Sequence, residues 1–506
     1  MQAISPSQRA ALFDVAATRR IEQAAAAQLA PYALMQRAGT ATARLALALA
    51  PHARCIWIAC GPGNNGGDGL EAATQLHRLG LPVCVTWLGS PETAPKDALH
   101  AWQRAQVAGV PLSDQPPRDL GPADLCIDAV LGIGLQARAV APTIEGASST
   151  PVQRVRQALQ QSQAPVLCVD VPSGLLSDTG QYLPEWQPAV PPVSPRHTLS
   201  LLTLKPGLFT GMGRDAAGTV WWDDLGSTPG TEQPAAWLPG APSKAPPPAH
   251  ASHKGSYADV AVVGGEGLHR RGLGMGGAAL LAASAALHAG AGRVLVNLLE
   301  DEPSYALALQ PEWMLRRFEA LELARLTVVC GCGGGQAITP LLPAVLAQAQ
   351  RLVLDADALN AVAQDPALAT LLAQRGARTP WTVLTPHPLE AARLLGCSTQ
   401  EVQARRLQAA QQLAQRFGCT VVLKGSGSVI TAPEHTPVIN PTGNARLATA
   451  GTGDVLAGLL GARLALAASA FEAARRACWE HGQQADQWPT GHALTANLLA
   501  RRLARL

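Results

Sequence analysis

The feature that most constrains the fold is a repeated alternation of short apolar runs with longer segments of helical pattern. In the first half of the chain the runs lie at residues 55–60, 83–88, 125–130, 165–170 and 199–204. In the second half they lie at residues 258–263, 326–330, 351–354, 381–384 and 420–423. Short, continuously apolar runs are typical of strands buried on both faces of a parallel sheet. The alternation therefore predicts doubly wound α/β layers, with binding sites at the carboxyl ends of the strands.

A proline-rich stretch at residues 228–250 interrupts this alternation. Proline cannot continue a helix or a central strand, so the stretch predicts a linker. A chain of 506 residues is also too long for one ordinary core. We expect two doubly wound α/β domains, at residues 1–227 and 251–506, joined by a linker at 228–250. No internal repeat relates one half to the other.

Charge and composition exclude several classes of partner. The net charge is +3, and the arginines are scattered without a basic block, so no nucleic-acid partner is expected. No apolar run reaches membrane-spanning length without Gly, Pro or a charge, and the N-terminus lacks the order of a signal peptide. The ten cysteines are dispersed, which favours core thiols over disulfides or a zinc site. We expect a cytoplasmic protein.

A glycine-rich segment in the second half carries a candidate catalytic carboxylate. Residues 440–458 contain Gly451, Thr452, Gly453 and Asp454, followed by an apolar helical run. The first-turn N–H groups and the dipole of such a helix favour an anion such as phosphate. A carboxylate there suggests a base that takes the proton of a hydroxyl attacking phosphorus. The alternative is structural, with Thr452 or Asp454 capping the helix and the glycines forming a turn.

Three strand ends in the first half carry polar residues. Residues 61–69 read Gly-Pro-Gly-Asn-Asn-Gly-Gly-Asp-Gly, and a helical pattern resumes at Leu70. The amide and carboxylate oxygens there suit a hard cation or a hydroxyl-rich substrate, although a glycine-rich turn with Asx caps is an alternative. Asp128 and Asp170 follow two other strands. In a parallel sheet these ends lie on one edge, which favours a shared site.

The segments GPGNNGGDGL (61–70), DAVLGIGL (128–135) and VDVPSGLLSDTG (169–180) resemble the YjeF N-terminal domain, an NAD(P)H-hydrate epimerase, over roughly residues 10–225. The resemblance implies a Rossmann-like three-layer sandwich, K⁺ as cofactor and Asp170 as the acid/base that touches the substrate, with Lys205 as a stabilising charge. It implies K⁺ ligands at Asn65, Asp128 and Ser173. It implies substrate contacts in one loop at Asn64, Asn65, Gly66, Gly67 and Asp68, and in a second loop at Gly132, Ile133, Gly134, Leu135, Gln136, Ala137 and Arg138.

Several loops of the second half hold further candidate residues. Lys254 could meet a phosphate, or it could be a solvated lysine. Asp355 and Asp357 follow a strand, and on extended backbone they would share a face, although one of them could cap the next helix. His387 lies between two prolines, and this favours an exposed contact role over a core position. Residues 424–428 form a small-residue loop suited to a nucleotide phosphate or ribose, with a plain hairpin turn as the alternative.

The segments HKG, LDADALN, TPHP, VVLKGSGSVI and NPTGNARLATAGTGDVLAG stand in the order found in the YjeF C-terminal domain, which they resemble over about residues 235–506. That family is the ADP/ATP-dependent NAD(P)H-hydrate dehydratases, in the ribokinase-like superfamily. The resemblance implies Mg²⁺ and ADP as co-substrate, with Asp454 catalytic. It implies substrate contacts at Ala278, Gly333, His387 and Asp454, and nucleotide contacts at Lys424, Gly425, Ser426, Gly427, Ser428 and Gly453. The sequence departs from the family pattern at Ala258, Leu389 and residues 331–335.

Both resemblances together predict a bifunctional repair enzyme that epimerises hydrated NADH or NADPH and dehydrates its S epimer at the expense of ADP. A ribokinase-like kinase acting on a small alcohol is the first alternative. The second is a first half that serves only as a nucleotide-binding or interaction module. We expect small-molecule partners, namely NADHX, NADPHX and ADP, and a homo-oligomer.

Overall fold

The computed structural model divides the chain into two compact units. It describes residues 1–134, 150–190, 192–243, 249–300 and 305–503. The first unit comprises Met1–Ser5 and Ala10–Ala236, and the second comprises Pro6–Arg9 and Trp237–Leu506. Among the described residues, no helix is both long enough and apolar enough to span a membrane.

The secondary structure alternates between strands and helices in both units. In the first 235 residues the strands are β1 (Gln2–Ala3), β2 (Arg9–Leu12), β3 (Ile56–Cys60), β4 (Val83–Trp87), β5 (Leu112–Ser113), β6 (Leu125–Ala129), β7 (Val166–Val169), β8 (Arg196–Leu201) and β9 (Thr219–Asp223). The helices there are α1 (Val15–Ala26), α2 (Ala33–Leu49), α3 (Asn64–Arg78), α4 (Lys96–Val107), α5 (Pro151–Gln161) and α6 (Gly213–Ala217).

The remaining elements follow the same pattern. The strands are β10 (Ala236–Pro239), β11 (Asp259–Glu266), β12 (Arg293–Leu299), β13 (Met314–Leu315), β14 (Thr327–Cys330), β15 (Arg351–Leu354), β16 (Thr382–Leu384), β17 (Thr420–Leu423), β18 (Val429–Thr431) and β19 (Val438–Ile439). The helices are α7 (Leu268–Arg271), α8 (Gly276–His288), α9 (Tyr305–Leu309), α10 (Leu342–Gln348), α11 (Ala356–Gln364), α12 (Pro366–Arg378), α13 (Pro388–Leu395), α14 (Thr399–Ala404), α15 (Arg406–Phe417), α16 (Thr452–Leu466), α17 (Ala470–Asp486) and α18 (Ala496–Arg501).

The sheet of the first unit is covered on both faces. Its strand order is β1-β9-β8-β7-β6-β3-β4-β5, and β3, β4, β6, β7 and β8 pair in parallel. Along β3, Ile56 and Ile58 enter one hydrophobic core, whereas Trp57 enters another. Since successive side chains of a strand point to opposite faces, each face carries its own core. The prediction of a three-layer, mostly parallel α/β unit is confirmed.

The second unit repeats this layering around its own sheet. From β13 the strands run in the order β13-β12-β11-β14-β15-β16-β17-β18-β19-β10. Val260 and Val262 on β11 enter one core, and Ala261 and Val263 enter the other. The predicted strands are present, and β12 is an addition. Its run is interrupted by Asn297, whose side chain donates a hydrogen bond to the carbonyl of Arg316 instead of meeting solvent.

The expectation that residues 228–250 form no strand is wrong for part of the stretch. The segment Ala236–Pro239 forms β10, in which Trp237 lies opposite Val438 of β19. Pro239 stands at the last position of the strand, where a missing N–H removes little pairing. The division between the compact units falls inside this same stretch.

Candidate active sites

The first unit contains a cavity of about 670 Å³ at the carboxyl ends of its central strands. The start of α3 after β3 contributes Asn65 to its lining, the segments after β6 and β7 contribute Leu131 and Asp170, and α1 contributes Glu22. This is the edge at which ligands bind in open parallel sheets. The three strand ends lie at one edge of the sheet, as predicted, and Asp170 and the segments after β3 and β6 line one cavity there.

A buried salt bridge lies on the wall of this cavity. The ammonium group of Lys205 contacts the carboxylate of Asp170, and it also donates hydrogen bonds to the Ser200 hydroxyl at 3.3 Å and the Leu201 carbonyl at 2.7 Å. Lys205 is 0% exposed and Asp170 is 8% exposed. Asp170 also has a positive φ of 69°, which non-glycine residues rarely adopt. The chain thus holds this carboxylate in a strained, fixed position facing the cavity.

The loop predicted at residues 61–69 is partly helix. α3 begins at Asn64 with Gly63 as its N-cap and no side-chain cap, so the alternative of Asx caps is wrong. Helix can form this early because the glycines are closely packed. A Cβ on Gly66 would lie 2.0 Å from the Gly61 carbonyl oxygen, and one on Gly67 would lie 2.5 Å from the Met35 side chain.

The polar residues and the glycines of this segment have different surroundings. Asn64, Asn65 and Asp68 line the cavity. Gly66 and Gly67 instead allow the backbone of α3 to approach its neighbours closely. Asn64 and Asp68 lie one helical turn apart, so they are presented on one face of α3.

The three predicted K⁺ ligands are linked through the segment after β6. The hydroxyl of Ser173 donates to the Asp128 carboxylate at 2.5 Å and accepts from the backbone N–H of Leu131 at 2.8 Å. Asn65 packs against Gly132, where a Cβ would lie 3.1 Å from the amide oxygen. The amide nitrogen of Asn65 is buried without a partner among the described residues. The carboxylate of Asp128, the hydroxyl of Ser173 and the amide oxygen of Asn65 are oxygen donors of the kind that a hard cation prefers.

The second predicted substrate loop is only partly described. Gly132, Ile133 and Gly134 line the cavity. Leu135, Gln136, Ala137 and Arg138 lie outside the described residues. The first three positions are therefore placed at the site.

Sequence reasoning missed Glu22 as a residue of this cavity. Burial raises the pKa of Glu22, and the charge of Asp170 adds to the rise. Burial also raises the pKa of Asp68 well above its usual value, with Asp170 and Glu22 contributing. Acidic side chains gathered at one cavity oppose each other's ionisation. A single acidic residue in an Ala-rich helix gave no sequence signal of this arrangement.

In the second unit, α16 begins at the predicted glycine-rich segment. Its N-cap is Gly451 with φ 88°, and no side chain caps it, so the alternative in which Thr452 or Asp454 caps the helix is wrong. Thr452 instead donates its hydroxyl hydrogen to the carbonyls of Leu447 and Thr449. Asp454 lies in the first turn, and burial raises its pKa to about 6, with the charge of Asp355 adding to the rise. A carboxyl with this pKa is suited to proton transfer near neutral pH.

The two carboxylates after β15 diverge instead of sharing a face. α11 begins at Ala356, so Asp357 lies in its first turn and accepts from the N–H of Gly335 at 2.8 Å. Asp355 occupies the N-cap position but makes no cap bond. Its Oδ1 accepts from Lys424 and from Thr385, both at 2.7 Å. The extended backbone that would have aligned the two side chains ends before Asp357.

Asp355 connects the nucleotide-binding candidate Lys424 to the base candidate Asp454 through a thiol. Cys332 lies 3.9 Å from Oδ2 of Asp355 and is fully buried. The Sγ atom of Cys332 and one carboxylate oxygen each of Asp355 and Asp454 lie within 4.8 Å of one another. A Cβ on Gly453 would lie 3.6 Å from the Lys424 ammonium. These contacts bring the three predicted segments around residues 355, 424 and 454 to one place.

His387 has a local structural role as well as an exposed surface. Its Nδ1 accepts from the backbone N–H groups of Leu389 and Glu390, so His387 caps α13. Its side chain is 45% exposed, as predicted for a residue between prolines. Burial lowers the pKa of His387, and Lys424 lowers it further. Burial raises the pKa of Glu390 to about 7, a group that sequence reasoning missed.

The remaining predicted contact residues are Ala278, Gly333, the loop at 424–428 and Lys254. Gly333 packs against Ala278, where a Cβ on the glycine would lie 2.9 Å from the Ala278 side chain. Residues 424–428 connect the antiparallel strands β17 and β18, so they form a hairpin connection, the turn that was the alternative for this loop. Gly425 has φ 139° there, and a Cβ would lie 2.9 Å from the Arg406 guanidinium. Lys254 is exposed.

Comparison with known families shows matches along most of the chain. The family model for NAD(P)H-hydrate dehydratase matches residues 261–505. The family model for the YjeF-related protein N-terminus matches residues 31–207.

Individual relatives match over long stretches as well. The bifunctional NAD(P)H-hydrate repair enzyme Nnr of Escherichia coli is 35% identical over 480 residues, 90% of this chain and 85% of the relative. The ADP-dependent (S)-NAD(P)H-hydrate dehydratase of Neisseria meningitidis is 41% identical over 260 residues, 50% of this chain and 84% of the relative. Among solved structures, the ADP/ATP-dependent NAD(P)H-hydrate dehydratase of Bacillus subtilis, co-crystallised with ATP/Mg²⁺, has a TM-score of 0.43 and 28% identity, and covers 51% of this chain and 92% of that one.

Proposed function

The chain belongs to the family of bifunctional NAD(P)H-hydrate repair enzymes, and we propose that its two described sites perform the two reactions of that family. The cavity of the first unit would epimerise R- and S-NAD(P)HX. The residues around α16 would dehydrate S-NAD(P)HX to NAD(P)H with ADP as co-substrate, giving AMP and phosphate. We propose residues 1–227 and 251–506 as the portions that carry these activities.

Epimerisation requires the hydroxyl at C6 of the hydrated nicotinamide to leave and return. The ring nitrogen donates its lone pair as the C6–O bond breaks, and an acid of the site gives a proton to the departing hydroxide, so that an iminium ion and water result. Water then adds to the opposite face of C6, and Asp170 accepts its proton. Lys205 keeps this carboxylate in place through the buried salt bridge. The rest of the substrate would contact residues 64–68 and 132–138.

We assign K⁺ to Asn65, Asp128 and Ser173. The Asn65 amide oxygen beside Gly132 and the hydrogen-bonded Asp128–Ser173 pair, all oxygen donors, support this assignment. A bound cation would fix the geometry of the loops after β3 and β6 that line the cavity.

In the second unit Asp454 is placed to act as a general base. It would take the proton of the C6 hydroxyl, whose oxygen attacks the terminal phosphorus of ADP, so that an O–P bond forms and the bond to AMP breaks. Phosphate is a better leaving group than hydroxide, and the ring nitrogen then expels it. Loss of a C5 proton restores the double bond of NAD(P)H. The first-turn N–H groups of α16 would hold the developing phosphoryl charge.

The nucleotide would lie against Lys424, residues 425–428 and Gly453. Burial by itself would lower the pKa of Lys424, but Asp355 and Glu390 outweigh this effect and raise it, so the ammonium charge is retained. Asp355 is already bonded to Lys424 and Thr385, which leaves Mg²⁺ to be held mainly by phosphate oxygens and water. When bound, Mg²⁺ neutralises the phosphate charge. Ala278, Gly333 and His387 would contact the hydrated nicotinamide nucleotide.

The observation that carries the dehydratase assignment is the half-buried Asp454, with its pKa raised to about 6, in the first turn of α16 beside Lys424. The test is incubation of the full chain with mixed R- and S-NADHX, ADP and Mg²⁺, while the absorbance of the reduced nicotinamide is followed. Both epimers should be converted completely, with release of AMP and phosphate. A stable phosphorylated product with no gain in absorbance would contradict the assignment and favour a kinase.

We also propose a cellular location and an oligomeric state for this chain. The ten cysteines are all free thiols, and this supports a reducing, cytoplasmic location. We propose a homo-oligomer, which light scattering coupled to size-exclusion chromatography would test.

A further inference from the structure

α1 is fixed beside the Asp170–Lys205 pair by contacts at its N-terminal end. The side chain of Asp14 caps it by accepting from the N–H of Ala17 at 2.7 Å. The hydroxyl of Thr18 lies 2.7 Å from that of Thr203, in the segment that ends in Lys205. The N–H of Phe13, just before the helix, donates to the carbonyl of Leu204 at 2.8 Å. The helix therefore has a fixed position at the cavity.

Glu22 follows Thr18 by one helical turn, so the two side chains lie on the same face of α1. Both line the cavity, together with Arg19. Glu22 makes no hydrogen bond or ion pair with any residue that the structure describes. The charged groups that act on it are Asp170, Lys205, Arg19 and Asp97. The carboxyl group is thus held at the cavity and remains available to a ligand.

Epimerisation needs two groups that handle protons, because the hydroxyl leaves one face of the ring and water returns to the other. Asp170 is engaged in a salt bridge and is suited to accept a proton. A second group has to donate a proton to the departing hydroxyl. Glu22 is suited to donate because its pKa is raised.

We propose that Glu22 is the second catalytic acid/base of the epimerase site, which handles one of the two proton transfers while Asp170 handles the other. In one direction Glu22 gives its proton to the hydroxyl, the C6–O bond breaks, and water leaves. A second water adds to C6 on the other face and gives its proton to Asp170. The opposite epimer reacts through the reverse steps, and proton exchange with solvent restores the starting forms. The proposal rests on the epimerase activity proposed above.

The test uses the full chain without ADP, so that the dehydratase is idle, and follows the interconversion of purified R-NADHX and S-NADHX by chromatography. Glu22→Gln should lower kcat about 10²-fold, with KM nearly unchanged, because the amide keeps the shape but donates no acid proton. Glu22→Asp should retain more activity than Glu22→Gln. The alkaline limb of the wild-type pH profile, which reports the protonated acid, should be absent in Glu22→Gln.

The matched control is Glu92→Gln, an exposed residue outside the cavity, which should behave as wild type. Thermal unfolding and S-NADHX dehydration with ADP should be unchanged in Glu22→Gln. If Glu22→Gln interconverts the epimers at the wild-type rate while Asp68→Asn loses the alkaline limb, the acid is Asp68 and the proposal is wrong. A wild-type chain that does not interconvert the epimers would instead refute the epimerase assignment itself.

Discussion

At the scale of single residues, Cys332 gives the dehydratase site a property that the sequence pattern did not reveal. Its thiol donates to Asp355, lies within 4.8 Å of the Asp454 carboxylate, and lowers the pKa of Asp454 against the larger effect of burial, which raises it. Asp454 must be ionised to accept a proton, so the dehydratase rate should fall as the pH drops through about 6. The thiol therefore extends the activity toward lower pH.

Replacing Cys332 by Ala should move the acidic limb of the dehydratase pH profile to higher pH. Without the donor the pKa of Asp454 rises, so a smaller fraction of the base is ionised at pH values near 6. The measurement is kcat/KM for S-NADHX with ADP across a pH series. Cys332→Ser retains a donor and should stay close to wild type, and an unshifted Cys332→Ala profile would show that the thiol does not act on Asp454.

Removal of K⁺ should impair the epimerase and spare the dehydratase. Asn65, Asp128 and Ser173 would lose the ion that organises their loops, whereas none of the predicted dehydratase contacts involves these residues. R-to-S interconversion would be measured in K⁺ buffer and in tetramethylammonium buffer of equal ionic strength. Asn65→Ala should be slow in both buffers. Equal epimerase rates for the wild type in the two buffers would refute the assignment.

At the scale of elements, the start of α3 shows both the reach and the limit of sequence reasoning. The strand–helix alternation and the polar residues at three strand ends predicted that the oxygen-bearing residues after β3 lie at the carboxyl edge of the sheet, and Asn64, Asn65 and Asp68 line the cavity there. The helix start at Asn64 was missed, because glycines normally disfavour helix and their close backbone neighbours are not visible in sequence. Asp357 was misplaced for a related reason, since α11 begins at Ala356 rather than after both carboxylates.

Gly66→Ala should destabilise the first unit. The added Cβ would lie 2.0 Å from a backbone carbonyl, which cannot move as a flexible side chain could. A cost of about 2 kcal/mol corresponds to a fall of about 4–8 °C in the unfolding midpoint. Differential scanning calorimetry of the full chain would resolve the transition.

Gly121→Ala is the matched control for this substitution. Its Cβ would lie 3.8 Å from the Asp124 carboxylate, an ordinary contact distance, so the midpoint should stay near that of the wild type. If both variants unfold like the wild type, the close packing of α3 against Gly61 is not rigid.

At the scale of the whole molecule, the presence of two sites for one metabolite predicts that a substitution in either site abolishes one reaction and spares the other. Asp170→Asn should stop R-to-S interconversion, because the site loses both its acid/base and the partner of the buried Lys205, and should leave the dehydration of S-NADHX intact. Asp454→Asn should abolish the dehydration of S-NADHX and leave R-to-S interconversion intact. The loss of a positioned acid/base should lower the rate of the affected reaction about 10²–10⁴-fold. With mixed epimers and ADP, Asp170→Asn should give an absorbance rise that initially ends at the S fraction. Adding Asp454→Asn protein should then restore full conversion.

Outcomes other than these would revise the assignments. If Asp170→Asn slows the dehydration of purified S-NADHX, the two reactions do not have separate catalytic groups. If the mixture of the two variants fails to convert the R fraction, the first site alone does not supply the epimerase.

The layered fold could be predicted because buried strands leave a continuous apolar signature along the sequence. The proposed site residues could be predicted only where they stand in motifs, as Asp170 does at a strand end and Asp454 does at a glycine-rich helix start. Glu22 and Glu390 could not, because their placement depends on helices packing across distant segments.

The buried contact between Lys205 and Asp170 also has an evolutionary consequence. A fully enclosed ammonium group that loses its carboxylate partner becomes an uncompensated charge, which is strongly destabilising. A lineage that no longer needs epimerisation therefore cannot discard Asp170 by drift while it keeps Lys205. The two positions should change together across descendants of this chain, so that their covariation records where the first activity has been lost.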